Sequence, residues 1–180
     1  KGENVSMNIF YLDKSFAKSA QYHCDKHVVK MILETAQLLS TAHRELDGDE
    51  YADKVSLYKS THKNHPSAVW VRSSQNAYNW AFMLLYNLCA EYTKRYNKTH
   101  KTSKLLNSLV YKPENIKFSS WNDTLTPPPQ CMPDEYKHED TVTAYRNYYF
   151  GAKKSFAKWA YSDKPDWWIQ TEEHNELLAL

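Results

Sequence analysis

Glycine is scarce: the 180-residue chain has three. Phosphate-cradling loops of the Walker or GxGxxG kind are absent, and so is a serine-nucleophile elbow. Cysteine is equally sparse. Cys24, Cys89 and Cys131 are odd in number and lack CxxC spacing. That excludes a zinc knuckle and a disulfide framework, and favours free thiols in a reducing, cytoplasmic compartment. No run approaches the ~18 apolar residues of a membrane span, and no secretory signal is visible. Net charge is also nearly missing, at +2. The whole-molecule field therefore says little about partners, and local clusters say more. Lys94, Arg95, Lys98, His100, Lys101 and Lys104 form one cluster, and Lys153, Lys154 and Lys158 another. Either serves as a solvated helix end or a phosphate contact. What the chain has in quantity is rings, with 14 tyrosines and six tryptophans. These suit a core and also suit stacking on bases.

Periodicity predicts an all-α fold. A single compact domain is expected over residues 7–168, with two long central helices, a Pro-rich loop and an aromatic C-terminal helix. Residues 1–6 read as an extension before Met7, and residues 169–180 as a tail. Residues 8–12 form an extended lead-in. The first long helix is expected from Phe16 to Arg44, capped by Asp13 or Ser15. A short helix follows at 51–60. The second long helix starts at Ser67, reaches about Tyr96, and has a possible interruption at Ser73–Ser74. Another short helix is expected at 102–111. Residues 112–137 carry five prolines in an irregular stretch of the length that often covers a site. The last helix is expected over 140–161.

On the first helix, at about 100° per residue, His23, His27, Lys30, Glu34 and Thr41 share one narrow polar strip. The remaining surface is mostly apolar, so the helix is expected to be buried, with its strip lining a cleft. Asp25 falls instead in line with Val28, Ile32, Ala36 and Leu39. A carboxylate there must be paired with an arginine, a tyrosine or a helix N-terminus, or act as an acid/base with a raised pKa. On the second helix Arg72, Asn76, Asn79 and Asn87 form a polar side, suited to amide bonding between helices or to reading a ligand.

His23 and His27, at i and i+4, can hold a divalent metal ion. Glu34 lies about 10 Å along the axis from His27, too far to share that ion on a straight helix. Lys30, between His27 and Glu34, suits a phosphate clamp or an amine nucleophile that forms an imine with a sugar aldehyde. Lys63, Asn64 and the stiff His65–Pro66 pair suit phosphate contact.

With these residues assembled, the chain resembles a family of small tailed-phage proteins. The likeness runs through MNIFYLD, HCDKHVVKMILETAQLL, NHPSAVW, EYTKRY, PPPQCMPDEYK and YRNYYFGAKKSFAKW. It covers residues 7–168 and implies no activity, though it would set the protein in a host-cell cytoplasm. The chain is also similar to pyrimidine-dimer DNA glycosylases of the phage endonuclease V type. The corresponding pieces are Met7–Phe10, Asp25, Asn64-His65-Pro66, the helix ending at Tyr92–Tyr96, and Tyr145-Arg146-Asn147-Tyr148-Tyr149. That family uses an N-terminal α-amine exposed by removal of Met before a small residue. Here Asn8 follows Met7, so either a lysine such as Lys30 or the Met7 amine substitutes, or the chemistry differs.

The resemblance implies a DNA repair enzyme that binds duplex DNA, extrudes a damaged or modified base, and cleaves by a glycosylase and lyase route without a cofactor. Its expected catalytic group is Asp25, Glu34, Lys30, His23 and His27. Its expected DNA contacts are Lys26, Arg44, Lys63, His65, Arg72, Asn76, Tyr145, Arg146 and Tyr149. Two other readings stay open: a metal-dependent enzyme on nucleotides or modified DNA using His23 and His27, and a non-catalytic helical binding protein.

Overall fold

A computed structural model describes residues 7–120 and 122–180. The expected extension, residues 1–6, lies outside the described residues. The described chain is all-helical, with no strand among its residues. Its elements are α1 (Phe16–Tyr22), α2 (Asp25–Asp47), α3 (Glu50–Lys54), α4 (Pro66–Val71), α5 (Gln75–Tyr96), α6 (Leu106–Leu109), α7 (Thr141–Lys153) and α8 (Asp166–Leu178). Tight 3₁₀ turns at Lys101–Leu105 and Asp134–Tyr136 precede α6 and α7.

The centre is α2 against α5, with α1 laid on α5 and α4 on α2. Both long helices have the apolar spacing that such burial needs. Val28, Met31, Ile32, Leu38 and Leu39 of α2 are buried, as are Leu84, Leu85 and Leu88 of α5. Each such side chain contributes roughly 1.5–3 kcal/mol by leaving water. The extended segment 7–12 threads into this core with every side chain buried. Its polar groups are satisfied inside. Tyr145 Oη donates to Asn8 Oδ1 at 2.9 Å, Asn8 Nδ2 to Cys131 O at 2.9 Å, and Ser19 Oγ to Phe10 O at 2.9 Å.

Several boundaries differ from expectation. The helix expected over 51–60 ends at Lys54, and that over 102–111 is a 3₁₀ turn followed by the four residues of α6. His65 rather than Ser67 caps the helix at 66. Three further differences shape the site. The first long helix is two, because His23 and Cys24 take extended backbone. Arg95 pins this break. Its guanidinium donates to Gln21 O at 2.9 Å and His23 O at 2.7 Å, filling the open carbonyls of α1, and to Asp25 Oδ1 at 3.1 Å, where α2 starts. The second long helix breaks before Ser74, whose hydroxyl caps α5 by accepting from Ala77 N at 3.1 Å, close to the expected interruption. The last helix stops at Lys153 instead of 161. The chain beyond folds back to close the start of α2: Asp25 N donates to Lys158 O at 2.8 Å, and Ala160 N to Asp25 Oδ2 at 2.7 Å. The expected tail is mostly the helix α8. Gly151 lets α7 approach Tyr136, because a Cβ there would collide with that ring.

Candidate active site in the α2 cleft

The break in the first helix divides the polar strip. His23 drops out of register and is wholly buried, its Nδ1 2.6 Å from Ser19 O. His27 is buried beneath Phe10, whose ring centroid is 4.6 Å away, and its Nδ1 is 2.8 Å from Tyr149 Oη. Burial pushes His23 down to about 4 and His27 well below its ordinary value, so both rings are neutral. Their centroids are 6.5 Å apart. No group of three or more His, Cys, Asp or Glu side chains suited to a metal occurs among the described residues.

Asp25 is paired, as a carboxylate in line with Val28 and Ile32 must be, and its partner is Arg95. The aspartate is the first residue of α2, where its charge favours the helix dipole. Both carboxylate oxygens are engaged, one by Arg95 and the other by Ala160 N. Arg95, fully enclosed, also binds Glu91 at 3.0 Å.

The rest of the strip does line a cleft. Lys30, Glu34 and Gln37 of α2 form one wall of a cavity of about 760 Å³, together with Val29 and Leu33. Met7 also lines this space, brought there by the extended segment. The opposite wall comes from Tyr58, Thr61 and His62, and from the 3₁₀ turn with His100, Lys101 and Lys104. Thr41, further along α2, binds the loop at Thr61 N at 3.1 Å.

Glu34 is the unusual group here. It is 8% exposed, and its Oε1 lies 3.7 Å from Lys30 Nζ. Its Oε2 is buried without a hydrogen-bond partner. Burial raises its pKa to about 7, opposed by the nearby charges of Lys30 and Lys153. A carboxyl that is half protonated near neutrality, with one oxygen uncommitted, can both give and take a proton.

Lys153 was not among the expected site residues, though its basic cluster was visible. Its Nζ stands 4.7 Å over the Tyr148 ring and 5.9 Å from that of Phe10. Only the seating of α7 at the start of α2, through Tyr149 against Cys24 and His27, brings it there, and no local spacing encodes that. His62, His100, Lys101 and Lys104 were likewise missed as cleft residues, because the loops that carry them converge on α2 only in three dimensions.

The expected DNA contacts fall in several places. Lys26 is exposed next to this cleft's helix, 4.6 Å over Phe156. Lys63 is exposed, 3.8 Å from Glu45. Arg44 is buried and binds Tyr58 O, Leu57 O, Asp49 and Asp53. The His65 ring caps α4, accepting from Ser67 N at 3.1 Å. Half-buried Arg72 ends α4, and Asn76 bonds the loop at Ser119 and Ser120. Tyr145 and Tyr149 are core residues, and Arg146 binds Leu12 O and Asp13. The structure therefore brings Lys26, Lys30 and Glu34 onto one face of α2 and sets the other expected residues elsewhere.

Among the described residues no helix is long and apolar enough to cross a membrane. No curated protein and no solved structure matches the chain significantly. A family model described as pyrimidine dimer DNA glycosylase matches residues 7–104. The match takes in the segment 7–12, both halves of the broken helix, α5 and the start of the 3₁₀ wall. The chain belongs to this family.

Proposed function

From that membership we propose that the protein is a DNA glycosylase with an associated lyase step, acting on a damaged or modified base in duplex DNA. Its Glu34 serves as the acid/base and Lys30 as the amine nucleophile. The observation that carries the assignment is Glu34 Oε2, buried and unpartnered in a cleft next to a lysine.

The reaction runs as follows in these residues. Lys30 gives a proton to Glu34 and attacks the deoxyribose C1′ as a neutral amine. The Nζ–C1′ bond forms, the C1′–N bond to the base breaks, and its electron pair leaves with the base. Protonated Glu34 supplies the proton that the departing base takes up. The C1′–O4′ bond breaks, O4′ takes up one proton lost from Nζ, and the ring opens to an iminium, after which the Glu34 carboxylate removes a C2′ proton. Electrons flow toward the iminium, and the C3′–O bond breaks, cutting the strand. Water then hydrolyses the imine and returns Lys30. Burial helps at both steps, because it keeps the Glu34 pKa near the working pH. The compartment is the one that holds the DNA, a host-cell cytoplasm for a phage protein.

Borohydride trapping tests this directly. The protein is incubated with ultraviolet-irradiated duplex or with duplex carrying an abasic site, then reduced. A covalent adduct that maps to Lys30 and disappears in Lys30→Met is the expected result. An adduct on another amine overturns the role of Lys30. No adduct on either duplex overturns the imine route.

A further inference from the structure

Basic groups stand on both sides of the α2 cleft, and the two sides come from different parts of the chain. On one side Lys30 lines the cleft, one turn after Lys26 on α2, and Lys153 at the end of α7 is near enough to act on the charge of Glu34, with Lys154 beside it in sequence. Three of these amines are seated on rings. Lys26 Nζ is 4.6 Å from the Phe156 centroid, Lys153 Nζ 4.7 Å from Tyr148, and Lys154 Nζ 4.8 Å from Phe150. On the other side His62 and His100 flank the cleft with Lys101 and Lys104. Between the two lie Val29 and Leu33, apolar yet 38% and 41% exposed.

The sequence keeps acids away from the outer side. Residues 54–90 contain no Asp or Glu, nor do residues 92–113, nor 141–162. Among the described residues, no ion pair engages Lys26, Lys101, Lys104, Lys153 or Lys154. Unpaired lysines held on rings keep their charge available with part of their motion already lost. A basic, apolar, basic cross-section matches a nucleic-acid strand, with phosphates outside and a sugar and base between them.

We infer that the two basic sides form a split phosphate clamp. Lys26, Lys153 and Lys154 hold the duplex backbone on one side of the target nucleotide, and Lys101 and Lys104 hold it on the other. The first side rests on α7, which lies outside the stretch shared with the glycosylase family. The clamp rests on the proposed function for its orientation about Glu34, but its duplex binding can be measured without any chemistry.

The experiment measures the affinity for undamaged duplex DNA against salt concentration. It uses the full chain, Lys153→Gln/Lys154→Gln, Lys101→Gln/Lys104→Gln, and Lys14→Gln as a remote control. Each neutralised phosphate contact lowers the slope of log K against log salt by about 0.9. Each double variant is therefore expected to lose about 1.8 from the slope and to bind at least tenfold more weakly at low salt, with Lys14→Gln unchanged. Circular dichroism confirms that these surface changes leave the helices intact. An unchanged slope in either double variant overturns the clamp. Cleavage of irradiated duplex, followed in parallel, separates the two claims. An inactive full chain whose variants still lose slope contradicts the glycosylase assignment and leaves the clamp standing. Active variants with the full slope do the reverse.

Discussion

Asp25 opens α2, and Glu34 lies in the same helix further along, yet the fold treats the two carboxylates oppositely. Asp25 is met on both oxygens, by Arg95 and by the backbone N–H of Ala160. It holds together the end of α1, the start of α2 and the returning chain after α7. Glu34 is more enclosed and less satisfied, with one oxygen 3.7 Å from Lys30 and the other bonded to nothing. Leaving a buried polar oxygen unpaired costs stability, so it marks a position kept for something other than folding. A buried acid is therefore informative through its partners more than through its depth.

The largest effect that separates the two acids is catalytic. Glu34→Gln is expected to slow strand cleavage on irradiated duplex about 10³-fold, within the range for loss of a general acid/base. Asp25→Asn, which keeps the shape and one acceptor oxygen, is expected to stay within about tenfold of the full rate. Loss of cleavage in Asp25→Asn with a fully active Glu34→Gln would reverse the assignment.

For folding the order is inverted. Asp25→Ala leaves the enclosed Arg95 short of a partner and is expected to cost about 3 kcal/mol in urea unfolding. Glu34→Gln is expected to be stabilising in neutral and alkaline buffer. The folded-state pKa of about 7 stands above the ordinary value of 4.5, so the folded protein holds more protons than the unfolded chain between these limits. Stability then falls as pH rises from about 4.5 to 7 and stays at its lower level above. The variant removes that loss, with a gain of about 2 kcal/mol at pH 8 that shrinks to nothing near pH 4. Equal unfolding midpoints for the two proteins at pH 8 would contradict this.

A smaller effect tests the packed end of α2 by itself. Tyr149 Oη accepts from Cys24 N at 3.0 Å and stands 2.8 Å from His27 Nδ1. Tyr149→Phe removes both contacts, and a loss of about 1–2 kcal/mol is expected in thermal or urea unfolding. Cleavage should be almost unaffected, because His27 lies beneath Phe10 and outside the cleft.

Much of this architecture is written in local pattern. The apolar spacing of Val28, Met31, Ile32, Leu38 and Leu39 gives a buried helix, and Ser74 and Asp140 are helix starts in ordinary positions. The strip from Lys30 to Glu34 correctly points to a cleft. The break at His23–Cys24 was hidden because helical periodicity continues across it. What interrupts the helix is Arg95, far away in sequence, which takes the carbonyls of α1. Of the partners expected for Asp25 the arginine is the one present, and it is this same distant residue. The opposite wall of the cleft and Lys153 depend on the packing of loops and α7 against α2, which no spacing within one helix reports.

The difference between the two acids rests on the ionisation of Glu34, and that can be read in the free protein. With the glutamates labelled at the side-chain carboxyl carbon, the Glu34 resonance is assigned by its loss in Glu34→Gln and followed by NMR across pH. A midpoint near 7 that moves higher in Lys30→Met is the predicted result, because the lysine charge holds the acid down. A midpoint near 4.5, unmoved by that substitution, would show an ordinary solvated carboxylate and contradict the account.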